Sequence, residues 1–223
     1  MGSSTFLSIL FFHFLLLTLS HATTFDIVNR CPYTVWAAAI PGGGRQLDTN
    51  QTWSLTINPR NTSARIWPRT NCSFDSSGHG HCLTGDCSGL LACQAYGSPP
   101  DTIAEYATFQ NKDFFDISVV DGFNVPMEIG PDTGSCPGGR PSRCSADLVE
   151  LCPKELKVPG GCNSPCNVFK TNEYCCDNER CTPNEYSNFF RRNCPDTYSG
   201  LNNNQPSPFT CPHGTNYTVV FCP

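Results

Sequence analysis

Charge is scarce in this chain. Asp, Glu, Lys and Arg make up only 15% of the 223 residues, and acids outnumber bases by 19 to 14, for a net charge of -5. With 39% hydrophobic residues, so little charge excludes a disordered acidic chain and a charged coiled coil. The lack of a basic excess argues against nucleic acid as a partner, because a protein that grips phosphates carries the opposite sign. Methionine is nearly missing, with two residues, whereas proline reaches 19. Proline breaks helix interiors at a cost of ~3 kcal/mol, so a helical bundle is excluded. Long apolar runs are also missing after Phe6–Leu19, so no span is expected beyond that segment. This run ends in Ser20-His21-Ala22, a small-x-small cleavage pattern, and residues 1–22 read as a secretory signal peptide. Its first residues carry no Lys or Arg, which departs from the usual pattern. A signal anchor is the rival reading, disfavoured by the shortness of the run.

Cysteine is the opposite case. There are sixteen, all after the apolar run, and an even count in a secreted chain predicts a framework of eight disulfides. Zinc is the competitor, but no Cys-x-x-Cys occurs, and the adjacent Cys175-Cys176 suits crosslinking better than a metal tetrahedron. His79-Gly80-His81 reads as an exposed glycine turn, so no metal and no cofactor are expected. Asp132-Thr133-Gly134-Ser135 copies an aspartic-protease string, but that chemistry needs two copies and one is present.

Cysteine density maps the domains. Residues 23–71, 94–135 and 195–223 are cysteine-poor and read as a β-sandwich core. Phe25–Val28, Tyr33–Trp36, Trp53–Ile57 and Asn216–Phe221 carry β-branched and aromatic residues between turn signals, as strands do. Ile117–Val120, Asp121-Gly122 and Phe123–Val125 predict a hairpin with a two-residue turn. Residues 72–93 hold four cysteines and form a small disulfide loop. Residues 136–194 hold nine, a loop-rich second lobe with a helix near Ser145–Leu151. The fold class is therefore mainly β.

The stretch Gly78-His79-Gly80-His81-Cys82-Leu83-Thr84-Gly85-Asp86-Cys87-Ser88-Gly89-Leu90-Leu91-Ala92-Cys93 resembles the thaumatin-family signature at every specified position. Asn29-Arg30-Cys31, Asp121–Met127, Asn172–Cys176 and Phe221-Cys222-Pro223 are similar to the same family, over essentially the entire chain after residue 22. The resemblance is to plant members of the pathogenesis-related group. By cysteine order it implies the pairs Cys31–Cys222, Cys72–Cys82, Cys87–Cys93, Cys136–Cys211, Cys144–Cys194, Cys152–Cys162, Cys166–Cys175 and Cys176–Cys181. It also implies a thaumatin-like β-sandwich, a disulfide-rich lobe and a cleft between them.

The family's acidic cleft of one Arg, one Glu and three Asp has counterparts here in Arg65, Glu105, Asp116, Asp121 and Asp196. Hydrolysis of a glycosidic bond needs one carboxylic acid and one carboxylate, and Glu105 with Asp116 are the candidates, Glu105 as the acid. Crowded carboxylates raise one pKa, and Arg65, expected to pair with an Asp, should sit nearer the ionised partner. A groove shared by two lobes favours carboxyls about 6.5–9.5 Å apart, the inverting spacing. Strand parity conflicts with a shared cleft. If Asn111-Lys112-Asp113 is a three-residue loop, Asp116 opposes Thr108 and Glu105 faces the other way. A shared cleft then requires a bulge, another loop length or no hairpin there.

The resemblance implies a secreted, monomeric plant defence protein, antifungal, whose cleft binds β-1,3-glucan or another fungal-wall polysaccharide. Whether it cuts glucan as a weak endo-β-1,3-glucanase, only holds it, or permeabilises the fungal membrane stays open. A sweet-tasting protein fits poorly, since the sweet members are basic, and a hydrolase inhibitor lacks an identifiable reactive loop. Asn50, Asn61, Asn71 and Asn216 begin N-x-S/T sequons, with Asn61 the best glycan candidate. The sequence stops at Pro223 without the C-terminal extension of vacuolar relatives, so the apoplast is the expected location.

Overall fold

Alternation along the strands decides the architecture. In the computed structural model, which describes residues 22–58, 63–176, 182–200 and 209–223, Thr23–Asn29 (β1) buries every second residue: Thr23, Phe25, Ile27 and Asn29. Strands β2 (Val35–Ile40), β3 (Gly43–Leu47), β4 (Thr52–Ile57) and β5 (Ser63–Arg69) follow. The short pair β6 (Ser73–Phe74) and β7 (Gly80–His81) lies in the small disulfide loop. Next come β8 (Ile103–Phe109), β9 (Lys112–Ser118), β10 (Met127–Pro131) and β11 (Ser142–Cys144). Then come α1 (Leu148–Leu151), β12 (Lys157–Val158), β13 (Gly161–Cys162), α2 (Pro165–Phe169), α3 (Asn172–Cys175) and α4 (Glu185–Asn193). Strands β14 (Phe209–Pro212) and β15 (Tyr217–Phe221) complete the order.

Two sheets face each other, one ordered β11-β10-β15-β1-β4 and the other β14-β9-β8-β5-β2-β3. In the first, β1 and β15 run parallel, and Cys31–Cys222 ties the chain just beyond the ends of both. The aromatic centre bridges the sheets, with Phe25 and Tyr106 rings 5.1 Å apart and Phe115 and Tyr217 rings 5.0 Å apart. Burying each such side chain contributes ~1.5–3 kcal/mol. The Tyr106 and Tyr217 hydroxyls donate to the fully buried Asp113 at 2.9 and 3.2 Å. Thr108 Oγ1 at 3.0 Å and His213 Nδ1 at 3.1 Å complete that carboxylate's partners. Among the described residues, seven disulfides join Cys31–Cys222, Cys72–Cys82, Cys87–Cys93, Cys136–Cys211, Cys144–Cys194, Cys152–Cys162 and Cys166–Cys175. The expected Cys176–Cys181 bridge, like Asn61 and residues 1–21, lies outside the described residues.

The small disulfide loop is fixed to the sheet by a residue that reads as surface charge in the sequence. Arg69 is fully buried, and its guanidinium donates to the carbonyls of Trp36, Ala37, Leu90 and Leu91 at 2.7–3.2 Å. Burial pushes it down to about 10.

Two expectations about local structure change, and one open alternative is resolved. The Tyr33–Trp36 strand begins only at Val35 and continues through Ala37, Ala38 and Ala39, whose small side chains are all buried. Asp121-Gly122 does form a turn, Gly122 N–H donating to Val119 C=O at 3.1 Å, but no hairpin follows. Phe123 pairs with Cys162 instead, and the Asn124 amide is tied to Thr102, Pro68 and Thr84. The chain thereby leaves one sheet and enters the other at β10. Finally, β8 and β9 do form a hairpin, but its loop is two residues. Gln110 and Asn111 both take left-handed φ, 49° and 61°, as a type I′ turn requires, and Phe109 pairs with Lys112.

Candidate functional site

The two-residue loop sets the site. Pairing Phe109 with Lys112 places Glu105 directly opposite Asp116, and β5 pairs Arg65 with the other side of Glu105. Directly opposed residues share a face, with Cβ atoms about 4.5–5.5 Å apart. Arg65, Glu105 and Asp116 thus form one rung across three neighbouring strands. A three-residue loop would have turned Glu105 and Asp116 to opposite faces.

The charges on the rung are divided. Arg65 Nη2 lies 2.9 Å from Glu105 Oε1, while Arg65 Nη1 is 4.0 Å from Asp121 Oδ2. The principal partner of Arg65 is therefore the Glu, not an Asp. Asp116 is partly buried, and one of its oxygens, Oδ1, is inaccessible and without a hydrogen-bond partner. Burial first, and the neighbouring Glu105 second, push its carboxyl up to about 7. A carboxylic acid beside an arginine-held carboxylate is the division of labour that acid–base chemistry needs. Asp116, rather than Glu105, is thus the residue whose surroundings favour a protonated carboxyl. Both residues come from neighbouring strands of one hairpin.

Asp121 joins from the turn after β9, its carbonyl accepting from Asn167 of α2 at 3.4 Å. A cavity of about 100 Å³ runs from Asp121 toward α2, α3 and α4, past Val120, Asn167, Tyr174 and Phe190. Asp196 does not join the rung through Arg65. Its ion pair is with Arg140 at 3.0 Å, and its backbone carbonyl accepts from Ser142 at 2.8 Å. Asp101 is a member that sequence reasoning missed. It is 1% exposed, its Oδ1 has no hydrogen-bond partner, and burial followed by Asp121 pushes it up to about 7 against the pull of Arg65. Nothing in Pro99-Pro100-Asp101 distinguishes it from an ordinary turn residue.

A larger cavity of about 530 Å³ lies elsewhere, lined by Tyr33, Trp36, Asn71, Asn124 and Asp147 among others. Its polar groups are largely committed. Asn124 is spent on Thr102, Pro68 and Thr84, and Asp147 caps α1. The rung, with an inaccessible unpartnered carboxyl oxygen and a charge pair at the surface, is the better chemical candidate.

Known proteins resemble this chain along most of its length. The thaumatin family model matches residues 29–223. A thaumatin-like protein of Actinidia deliciosa is 55% identical over 219 residues, covering 97% of this chain and 96% of the relative. Zeamatin of Zea mays is 53% identical over 216 residues, covering 94% of each. Among solved structures, the thaumatin-like xylanase inhibitor superposes with a TM-score of 0.52 at 27% identity, covering 89% of this chain and 99% of its own.

Proposed function

Because the chain belongs to the thaumatin family, and because its sheet carries the Arg65–Glu105–Asp116 rung, we propose that it is a secreted plant defence protein whose acidic groove binds β-1,3-glucan of fungal walls. The rung is the observation that carries this reading. A neutral polysaccharide offers hydroxyls that both donate and accept. The Glu105 carboxylate accepts from them, and protonated Asp116 donates. Extracellular life fits the seven disulfides, which persist in oxidising compartments. In a hydrolytic version, Asp116 protonates the leaving glycosidic oxygen while Glu105, held by Arg65, stabilises the developing positive charge or assists the nucleophile.

The test is calorimetric titration of the intact, disulfide-bonded protein with laminarihexaose, alongside reducing-sugar release from linear β-1,3-glucan. Saturable binding that Glu105→Gln weakens supports the reading, and no binding by wild type removes it. Release that Asp116→Asn abolishes identifies an enzyme; binding without release identifies a carbohydrate-binding protein. Inhibition of a hydrolase is a second reading, prompted by the likeness to a xylanase inhibitor over most of the chain. A xylanase assay with added protein checks it directly.

A further inference from the structure

A glucan chain offers more than hydroxyls. In β-linked glucopyranose the ring hydrogens are axial, so each ring has two apolar faces, and sites for such rings pair polar groups with an aromatic platform. The rung provides the polar groups only.

The platform stands beside it. Tyr96 is 58% exposed, and its ring lies 4.6 Å from Arg65 Cζ. Isolated exposed aromatics need no explanation, but this one is both placed and clamped. The Cys87–Cys93 bridge closes a turn just before it. Ser98 N–H, just after it, donates to Asp86 C=O at 2.7 Å. Between them Gly97 is packed so tightly that a Cβ there would lie 2.5 Å from Trp67 Nε1 and 2.7 Å from Asp101 Oδ2. Trp67 in turn donates to Gly85 C=O at 2.8 Å. The Tyr96 backbone is therefore held against the sheet, and the Arg65 cation orients the ring by attraction to its π-face. An exposed residue of this size leaves ring surface open to solvent.

We infer that Tyr96 is a sugar-stacking residue of the acidic groove, with the order guanidinium, phenol ring, pyranose. This inference rests on the glucan reading above and deepens it, because it names the residue that meets the apolar face of a sugar ring. Clamping matters to affinity, since a ring already ordered loses little freedom when a sugar lands on it.

The experiment titrates laminarihexaose, with maltohexaose as the α-linked control, into wild type, Tyr96→Phe, Tyr96→Trp and Tyr96→Leu. Wild type should bind the β-linked sugar and not the α-linked one. Phe should stay within about twofold and Trp should bind equally or more tightly, whereas Leu, of similar apolar bulk but no flat face, should weaken binding about tenfold. Saturation-transfer NMR with irradiation of aromatic protons should mark the axial sugar hydrogens in wild type and lose that signal in Tyr96→Leu. A residue that only props Arg65 would show no further loss when Tyr96→Leu is added to an Arg65→Met protein; a stacking residue still weakens binding there. If wild type binds laminarihexaose and Tyr96→Leu binds it equally, the stacking inference is overturned while the groove reading stands. If wild type does not bind, the groove reading falls and takes this inference with it.

Discussion

Replacing Asp116 by Asn tests the electrostatics of the rung without any knowledge of the ligand. The native carboxyl is raised from an ordinary 3.8 to about 7. Below pH 4 both folded and unfolded chains hold the proton, so Asp116 contributes no pH dependence. Between about 4 and 7 the unfolded chain releases a proton that the folded one keeps, and stability falls as pH rises. Above 7 both are ionised, and the folded state bears the full cost of a half-buried charge beside Glu105. Three units at ~1.36 kcal/mol each set a ceiling of about 4 kcal/mol. Water reaching the partly exposed side chain lowers the expected cost to about 2–3 kcal/mol. Asn keeps the shape and cannot ionise. Guanidinium unfolding with disulfides intact, at pH 4.5, 6 and 8, should show Asp116→Asn near wild type at the lowest pH and about 2–3 kcal/mol more stable at pH 8. A difference that does not change with pH, or a variant less stable than wild type at pH 8, refutes the argument.

Arg69→Met should cost at least about 3 kcal/mol, because it strands buried carbonyls of Trp36, Ala37, Leu90 and Leu91, and limited proteolysis should then cut within residues 82–93; a loss below about 1 kcal/mol contradicts this. Asp113→Ala removes the shared acceptor of Tyr106, Thr108, Tyr217 and His213 and should cost about 3–5 kcal/mol in the same unfolding assay. Reduction should destabilise the protein more than any of these substitutions, since each bridge is worth about 2–4 kcal/mol; unchanged near-ultraviolet dichroism and protease resistance in dithiothreitol would contradict it.

The parts of the fold written in local pattern were legible. Phe25–Val28 and Trp53–Ile57 alternate, and both lie within strands; the helix expected near Ser145–Leu151 forms at Leu148–Leu151 behind its Asp147 cap. The five cleft residues came from family resemblance, and four of them surround Arg65 or belong to its rung, while Asp196 turns to Arg140. The length of the β8–β9 loop stayed open. Gln110-Asn111 lacks the glycine that usually marks a type I′ turn, so nothing in the letters fixed the loop at two residues, and an error of one reverses every side chain beyond it. Helices α2 to α4 were missed because pieces of four to nine residues show too few turns to establish a period. Arg69, Asp101 and Asp113 were invisible for another reason. A buried charge is spelled like an exposed one, and only tertiary contact separates them.

These buried charges explain how the rung keeps its geometry. Holding an acid protonated beside a carboxylate costs stability, and a loosely packed sheet would relieve that cost by letting Glu105 and Asp116 swing apart. Here the strands have little freedom to move. Asp113 locks the β8–β9 hairpin near its loop to β15 through Tyr217. Arg69 ties the far end of β5 to β2 and to the disulfide loop. The rung lies between these two anchors, on β5, β8 and β9, and the disulfides offset the free energy it consumes. Such rigidity keeps both the acid and the cation in place before any ligand arrives, which is where preorganised polar sites gain their advantage over water.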